Sequence, residues 1–307
     1  NPTFHYRRTF EINDLLKKYY LNFEGVDSFF YVYVNGTPIG YSQISHATSE
    51  WDITDYIRAG QNTLDVVVLK WCAATYLECQ DKWRFSGIFR SVYILSRPRN
   101  HIRDFKIEAT LQGGDGILFV HNLSDIAISI VFEGEQKIVE SNDSAKYSIR
   151  NVEKWTAETP KLYDVVLSAN GEKILQRVGF RISEIKDGIY LINDEHIKLK
   201  GVNRHEFSPT GGATVTLEET IKDLELMKWA NVNAIRTSHY PDCPEFYDLC
   251  DAMGFYVMNE ADVEAHGAAW TSGDGSRKRW QAFADSGIAD KGVTDREIAL
   301  YERDKNR

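Results

Sequence analysis

Between residues 197 and 258 the apolar residues switch repeatedly between two rhythms, and no other feature restricts the fold as much. Ile197-Lys198-Leu199-Lys200-Gly201-Val202 reads as a short strand. Thr216-Leu217-Glu218-Glu219 follows as a capping box, in which hydroxyl and carboxylate satisfy each other's orphan backbone donors. Leu217, Ile221, Leu224 and Met227 then mark one helical face. A strand is expected at Asn233-Ala234-Ile235-Arg236. A second helix opens at Asp242-Cys243-Pro244-Glu245, read as another capping box with proline in the first turn. It buries Phe246, Leu249, Cys250 and Met253, and Gly254 ends it. Phe255-Tyr256-Val257-Met258 is the third strand. Strand, helix, strand, helix, strand is the pattern of parallel βαβ units. Neither βα turn carries a glycine-rich phosphate fingerprint, which argues against a nucleotide-binding sheet. The expectation is the opening of a (β/α)8 TIM barrel. A whole barrel takes about 250 residues and only about 120 follow Gly188, so residues 184–307 are expected to supply its first half.

Upstream the rhythm is that of strands. In residues 1–97, Tyr31 to Tyr41 reads as strand, Asn35-Gly36 hairpin turn, strand. Leu64 to Trp71 and Ile88 to Leu95 are further strands. Many short strands rich in aromatics predict a β-sandwich of jelly-roll type. The rhythm resets at Arg97-Pro98-Arg99-Asn100. Within residues 98–183, Phe105–Leu111, Gly116–Val120 and Ile126–Phe132 alternate again, as in a small immunoglobulin-like sandwich. The expected class is therefore multidomain, β plus α/β.

The formal charge of −9 disfavours nucleic acid and anionic membranes as partners, since both require a basic face. Arg277-Lys278-Arg279 is the one basic run and is read as a solvated loop. No stretch approaches the roughly 18 apolar residues of a membrane span. Asn1-Pro2-Thr3-Phe4-His5 lacks the pattern of a signal peptide and lacks a methionine, so the natural start is expected upstream. Cys72, Cys79, Cys243 and Cys250 form no C-x-x-C motif and are read as reduced thiols of a cytoplasmic protein.

Active sites of such barrels lie at the C-terminal ends of the strands. Here those ends read Asn203-Arg204-His205-Glu206, then Arg236-Thr237-Ser238-His239-Tyr240-Pro241, then Asn259-Glu260-Ala261-Asp262-Val263-Glu264-Ala265-His266-Gly267. An isolated histidine or aspartate in such a place reads first as a loop anchor. Three polar clusters in register with three successive strands favour catalysis. Glu264 and His266, one residue apart, point to the same side of extended backbone. Together they could share a divalent ion such as Mg²⁺, which keeps several waters and needs few protein ligands.

These three motifs resemble the strand-end motifs of the lactose-operon type β-galactosidases in glycoside hydrolase family two. Tyr76-Leu77-Glu78-Cys79-Gln80-Asp81-Lys82-Trp83-Arg84-Phe85-Ser86-Gly87-Ile88-Phe89-Arg90 is similar to that family's loop from the jelly roll into the active site. Cys79 and Ser91 depart from acidic residues common there. The resemblance implies retaining hydrolysis of terminal β-galactosides such as lactose. It also implies that Asp81 contacts the sugar and helps hold Na⁺, and that His205 and His239 bind sugar hydroxyls and favour the transition state. By the same resemblance, Arg236 steadies the nucleophilic glutamate, and Glu264 and His266 ligate Mg²⁺.

Retaining glycosidases need two carboxyl groups about 5–5.5 Å apart. The family places them as glutamates after the fourth and seventh barrel strands, so they are expected beyond Arg307. Glu260 is read as a supporting carboxylate, not as the acid. Two alternatives stand beside the leading one: a related β-glucuronidase or β-mannosidase, and a non-catalytic carbohydrate-binding or complementing module. A homo-oligomer, or a second chain carrying the rest of the barrel, is the expected partner besides substrate. An unfinished barrel leaves a parallel strand with an open edge. Limited proteolysis is therefore expected to attack residues 184–307 first; cleavage confined to the residues before 185 would contradict this.

Overall fold

The computed structural model describes residues 1–266 and 275–307. Asn35 and Gly36 both take positive φ, 51° and 80°, as a two-residue turn matched to strand twist requires. They join strands Phe29–Val34 and Thr37–Ser42. The pair lies in a four-stranded sheet ordered Thr3–Ile12, Gly60–Leu69, Phe29–Val34, Thr37–Ser42. A second sheet, ordered Val92–Arg97, Lys18–Phe23, Ser49–Asp52, faces it. Phe30, Val32 and Val34 alternate inward and meet Leu21, Phe23, Val66 and Val68 in one core. The run expected over Ile88–Leu95 is broken. It forms Gly87–Ile88 and Val92–Arg97, because Phe89, Arg90 and Ser91 leave the sheet and Arg90 turns toward the barrel.

The second sandwich repeats this logic. Phe105–Gln112, Asp115–Asn122 and Ser144–Ile149 form one sheet, and four strands from Ile128 to Val178 form the other. Leu118, Val120, Ile130, Phe132, Val165, Leu167 and Phe180 fill the space between them. A small antiparallel meander over residues 183–196 leads onward.

The βαβαβ unit then appears as β1 (Gly201–Arg204), α1 (Leu217–Trp229), β2 (Ala234–Thr237), α2 (Pro244–Met253) and β3 (Tyr256–Met258). The three strands are parallel and adjacent in chain order, with Gly201 opposite Ala234 and Ala234 opposite Tyr256. β1 pairs further along the chain than the run 197–202 suggested. The Thr216–Glu219 capping box is present, with both reciprocal bonds. Leu224 is the buried residue of the expected α1 face, whereas Leu217 is exposed.

The second capping box is not present. Cys243 is the N-cap of α2 and makes no side-chain cap bond. Asp242 is instead buried and accepts a hydrogen bond from Arg204 Nη1 at 3.1 Å. An arginine in the interior needs a carboxylate more than the helix end does. The basic run is not a loop either: it belongs to α3 (Gly275–Ala284), where Lys278 and Arg279 are exposed. After α4 (Ile288–Asp304), Asn306 accepts from Ile107 N at 2.7 Å and donates to Phe105 O at 3.1 Å. The free edge of a sandwich strand is thereby covered. Cys72, Cys79, Cys243 and Cys250 are all free. None of the described helices is long and apolar enough to cross a membrane.

Gly254 closes α2 in the left-handed conformation, φ 79°, and its Cα faces the backbone of Ala157. A Gly254→Ala variant should lose at least about 1–2 kcal/mol, the cost of left-handed backbone with a Cβ. Urea unfolding should show this as a lower midpoint with an unchanged slope.

Candidate active site

Parallel register alone sets the strand-end side chains beside one another, with Asn203 opposite Arg236 and Arg236 opposite Met258. Arg236 Nε donates to Glu260 Oε1. His239 Nδ1 lies 2.9 Å from Glu260 Oε2 and 3.2 Å from Arg236 Nη2. On its other side His239 Nε2 is 3.6 Å from Glu264 Oε2, and His266 Nε2 is 2.8 Å from Glu264 Oε1. His205 stands across from His239, with ring centroids 6.0 Å apart. The structure thus joins Arg236, His239, Glu260, Glu264 and His266 into one polar chain, with His205 beside it. Gly267, the last residue of the third motif, lies outside the described residues. Burial, then the His239 imidazole, lower the pKa of His205 below its ordinary 6.5, so His205 is neutral at pH 7 and can accept as well as donate.

Asp81 arrives from the other direction. It lines, with His205, a cavity of about 530 Å³ whose wall also includes Asp27, His46, Lys82 and Tyr240. Its neighbours hold it there. Gln80 Nε2 donates to His239 O at 3.0 Å and to Asp262 Oδ1 at 2.8 Å. Lys82 Nζ is 3.3 Å from His46 Nε2 and lies 4.0 Å from the Tyr240 ring centroid. His46 Nδ1 is 2.7 Å from Asp262 Oδ2, and its ring stacks on Tyr240 at 4.0 Å. Tyr240 OH in turn lies 3.3 Å from His205 Nδ1. One buried carboxylate, Asp262, therefore fixes the approach of Asp81 to the two site histidines.

The same loop is stapled elsewhere. Glu78 and Cys79 pair in parallel with Glu264 and Ala265. Arg296 Nη2 of α4 donates to Glu78 Oε1 at 2.5 Å. Arg90 Nη2 donates to Glu206 Oε2 at 2.5 Å and to Pro241 O at 2.7 Å. Burial raises the pKa of Glu206, but the Arg90 guanidinium outweighs burial and holds the carboxylate ionised. Burial, then Lys82, pull His46 down to about 4 against the attraction of Asp262. A neutral His46 that donates from Nδ1 and accepts at Nε2 satisfies both contacts.

Among the described residues no group of three or more His, Cys, Asp or Glu could hold a metal ion. Glu264 and His266 nevertheless fit a hard, water-rich cation. Glu264 Oε2 is buried without a hydrogen bond, and the imidazole beside it adds a second donor. Asp81 supplies a carboxylate oxygen of the kind Na⁺ takes. Sequence reasoning missed Asp27 and His46. Neither sits in a motif or a periodic run, and each reaches the cavity through long-range packing.

Two β-sandwiches, a parallel α/β unit and polar residues gathered at its strand ends define the architecture of a multidomain glycosidase. Residues 1–98 match the sugar binding domain of glycosyl hydrolases family 2, residues 100–181 a further domain model of that family, and residues 183–307 its TIM barrel domain. The chain belongs to glycosyl hydrolases family 2. It is 43% identical over 342 residues to a β-galactosidase of Actinobacillus pleuropneumoniae, covering 100% of this chain and 33% of that protein. It is 40% identical to a β-galactosidase of Staphylococcus xylosus, over 96% of this chain and 31% of that protein. The chain thus spans about a third of the length of these relatives. Among solved structures, a Ruminococcus gnavus β-glucuronidase superposes with a TM-score of 0.84 at 24% identity, covering 99% of this chain and 56% of that one. A β-glucuronidase from an uncultured Clostridium sp. gives 0.81 at 25%, over 98% of this chain and 55% of that one. These likenesses reflect the shared fold.

Arg90 and Glu206 are each 5% exposed. Arg90→Ala strands the carboxylate and should cost about 3–5 kcal/mol in urea unfolding. His46 gives a pH signature. Its folded pKa of about 4 lies below the ordinary 6.5, so the unfolded chain takes up the proton first as pH falls. Stability should therefore fall from pH 6.5 toward 4. A His46→Gln variant should show a flatter profile in that window, while Asp262, Lys82, Arg90 and Tyr240 remain as neighbours.

Proposed function

We propose that the protein hydrolyses terminal non-reducing β-D-galactose residues with retention, acting on lactose and related β-galactosides. The observation that carries this reading is the convergence of Asp81 from the jelly roll with His205 from the barrel on one cavity, and of His239 and Arg236 beside it. The β-galactosidase relatives at 35–43% identity support it. Asp81 accepts from a sugar hydroxyl. Neutral His205, and His239 across from it, bind hydroxyls that strengthen their bonds as charge develops in an oxocarbenium-like transition state. Arg236, which donates to Glu260, is poised to steady a carboxylate. Both Glu260 oxygens are engaged, one by Arg236 and one by His239. That supports a positioning role for Glu260 over general acid. Glu264 and His266 would hold Mg²⁺, which would supply positive charge to the site. Na⁺ at Asp81 belongs to the same reading, as do a cytoplasmic setting and self-association.

The likeness to β-glucuronidases favours a second reading, with a uronic acid in the cavity. The cavity wall speaks for a neutral sugar. It presents three carboxylates, Asp27, Asp81 and Glu206, the last paired with Arg90, against one ammonium, Lys82, and that ammonium is turned to His46 and the Tyr240 ring. A uronate would meet net repulsion.

Rates of the complete natural polypeptide on nitrophenyl β-galactoside, β-glucuronide and β-mannoside decide between them. The galactoside is expected to lead in kcat/KM by at least about 100-fold, the scale set by hydroxyl recognition in buried sites. His239→Ala should lower kcat on it by about 10²–10³-fold, and removal of Mg²⁺ should lower the rate reversibly. A leading glucuronide rate would overturn the proposal.

A further inference from the structure

Tyr240 carries a hydroxyl proton into a buried place, and that proton must have an acceptor. The residue is 3% exposed. Its ring stacks on His46 at 4.0 Å, and Lys82 Nζ lies 4.0 Å from the ring centroid. Its backbone N donates to Thr237 O at 3.2 Å, which ties it to the end of β2. Burial, then Asp242 and Glu206, raise the phenol above its ordinary pKa of 10, so the hydroxyl keeps its proton at neutral pH.

Among the described residues two groups reach this hydroxyl. Glu206 N donates to it at 3.1 Å and occupies a lone pair. His205 Nδ1 lies 3.3 Å away. A backbone N–H cannot accept, which leaves Nδ1 as the acceptor for the phenolic proton. The reverse direction, with Nδ1–H donating to the oxygen, would strand a buried hydroxyl proton. His205 is exposed and carries no such constraint, so the buried partner decides the direction. A neutral imidazole has one N–H. With Nδ1 accepting, that proton sits on Nε2, on the far side of a ring that lines the cavity.

We propose that Tyr240 is a positioning residue whose hydroxyl fixes His205 as the Nε2–H tautomer. His205 is thereby a hydrogen-bond donor to a lone pair of the sugar, and it needs no tautomer exchange when the sugar arrives. The identity of that sugar rests on the galactoside reading above; the tautomer does not.

The test uses the complete natural polypeptide labelled with nitrogen-15 histidine, with the His205 signals assigned by their loss in His205→Gln. In the wild type at neutral pH, Nδ1 should resonate in the unprotonated imidazole range and Nε2 in the protonated range. Tyr240→Phe keeps the ring that His46 and Lys82 pack against and removes the hydroxyl. Both nitrogens should then move toward the averaged positions of two exchanging tautomers, a shift that a merely structural tyrosine would not produce. In the same variant kcat/KM on nitrophenyl β-galactoside should fall about 5–10-fold, the scale of one hydrogen bond. A protonated Nδ1 in the wild type overturns the proposal, and this spectrum decides the tautomer even if the variant does not fold. Unmoved His205 signals in Tyr240→Phe, or a kcat/KM within about twofold of wild type, overturn it as well. If the glucuronide proves to be the preferred substrate, the galactoside reading fails alone, and the same kcat/KM comparison on the glucuronide decides the role of Tyr240.

Discussion

The arrangement depends on a seam of buried charge between the jelly-roll loop and the barrel strand ends. Asp262 accepts from Gln80, His46 Nδ1 and His46 N, Glu206 accepts from Arg90, and Glu78 accepts from Arg296. Each contact takes a charge out of water, and each is stable only because its partner is placed by another domain or helix. Such a seam adds little net stability compared with apolar packing. What it adds is register: a slip of one residue would leave a bare buried charge, so the loop that carries Asp81 has one allowed seat.

Function follows from that seat. Neither the sandwich nor the strand ends form the cavity alone. The sandwich brings Asp81, Lys82 and the rings of Trp83 and Phe85, and the barrel brings His205, His239 and Arg236. Their meeting places acceptors, a neutral imidazole and a stacking surface around one cavity. This is the combination by which hydroxyl-rich ligands are distinguished from water. The polar chain from Arg236 through Glu260 and His239 to Glu264 and His266 adds alternating charge in a half-buried place, where it is weakly screened.

Much of this was legible as pattern. The Asn35-Gly36 turn, the Thr216 capping box and Gly254 at the end of α2 all act through local backbone geometry, so residue type alone announces them. The strand-end clusters were legible for a related reason: parallel βαβ units bring consecutive strand ends together whatever the rest of the chain does. Local reading failed where a residue had a local use and a distant one. Asp242 has the right type and place to cap α2, yet Arg204 claims it. Residues 89–91 continue a strand pattern, yet Arg90 leaves it for Glu206. In both cases a buried guanidinium decided, because leaving it unpaired costs more than a cap or a ladder bond.

His46 and Asp27 mark the limit. His46 lies in a turn of the jelly roll and Asp27 in a two-residue strand, and their place in the cavity depends on contacts such as the 216-residue step from His46 to Asp262. The sequence by itself determined which segments are strands and helices, and that His205, Arg236, His239, Glu264 and His266 fall at the ends of successive parallel strands, because periodicity and capping are short-range. Only the tertiary structure decided which loop of the jelly roll meets those ends, which side chains pair across the seam, and that the rings of Trp83 and Phe85 join Asp81 and His205 in one cavity wall. Those outcomes rest on burial and charge pairing between distant residues, for which no spacing along the chain is a signal.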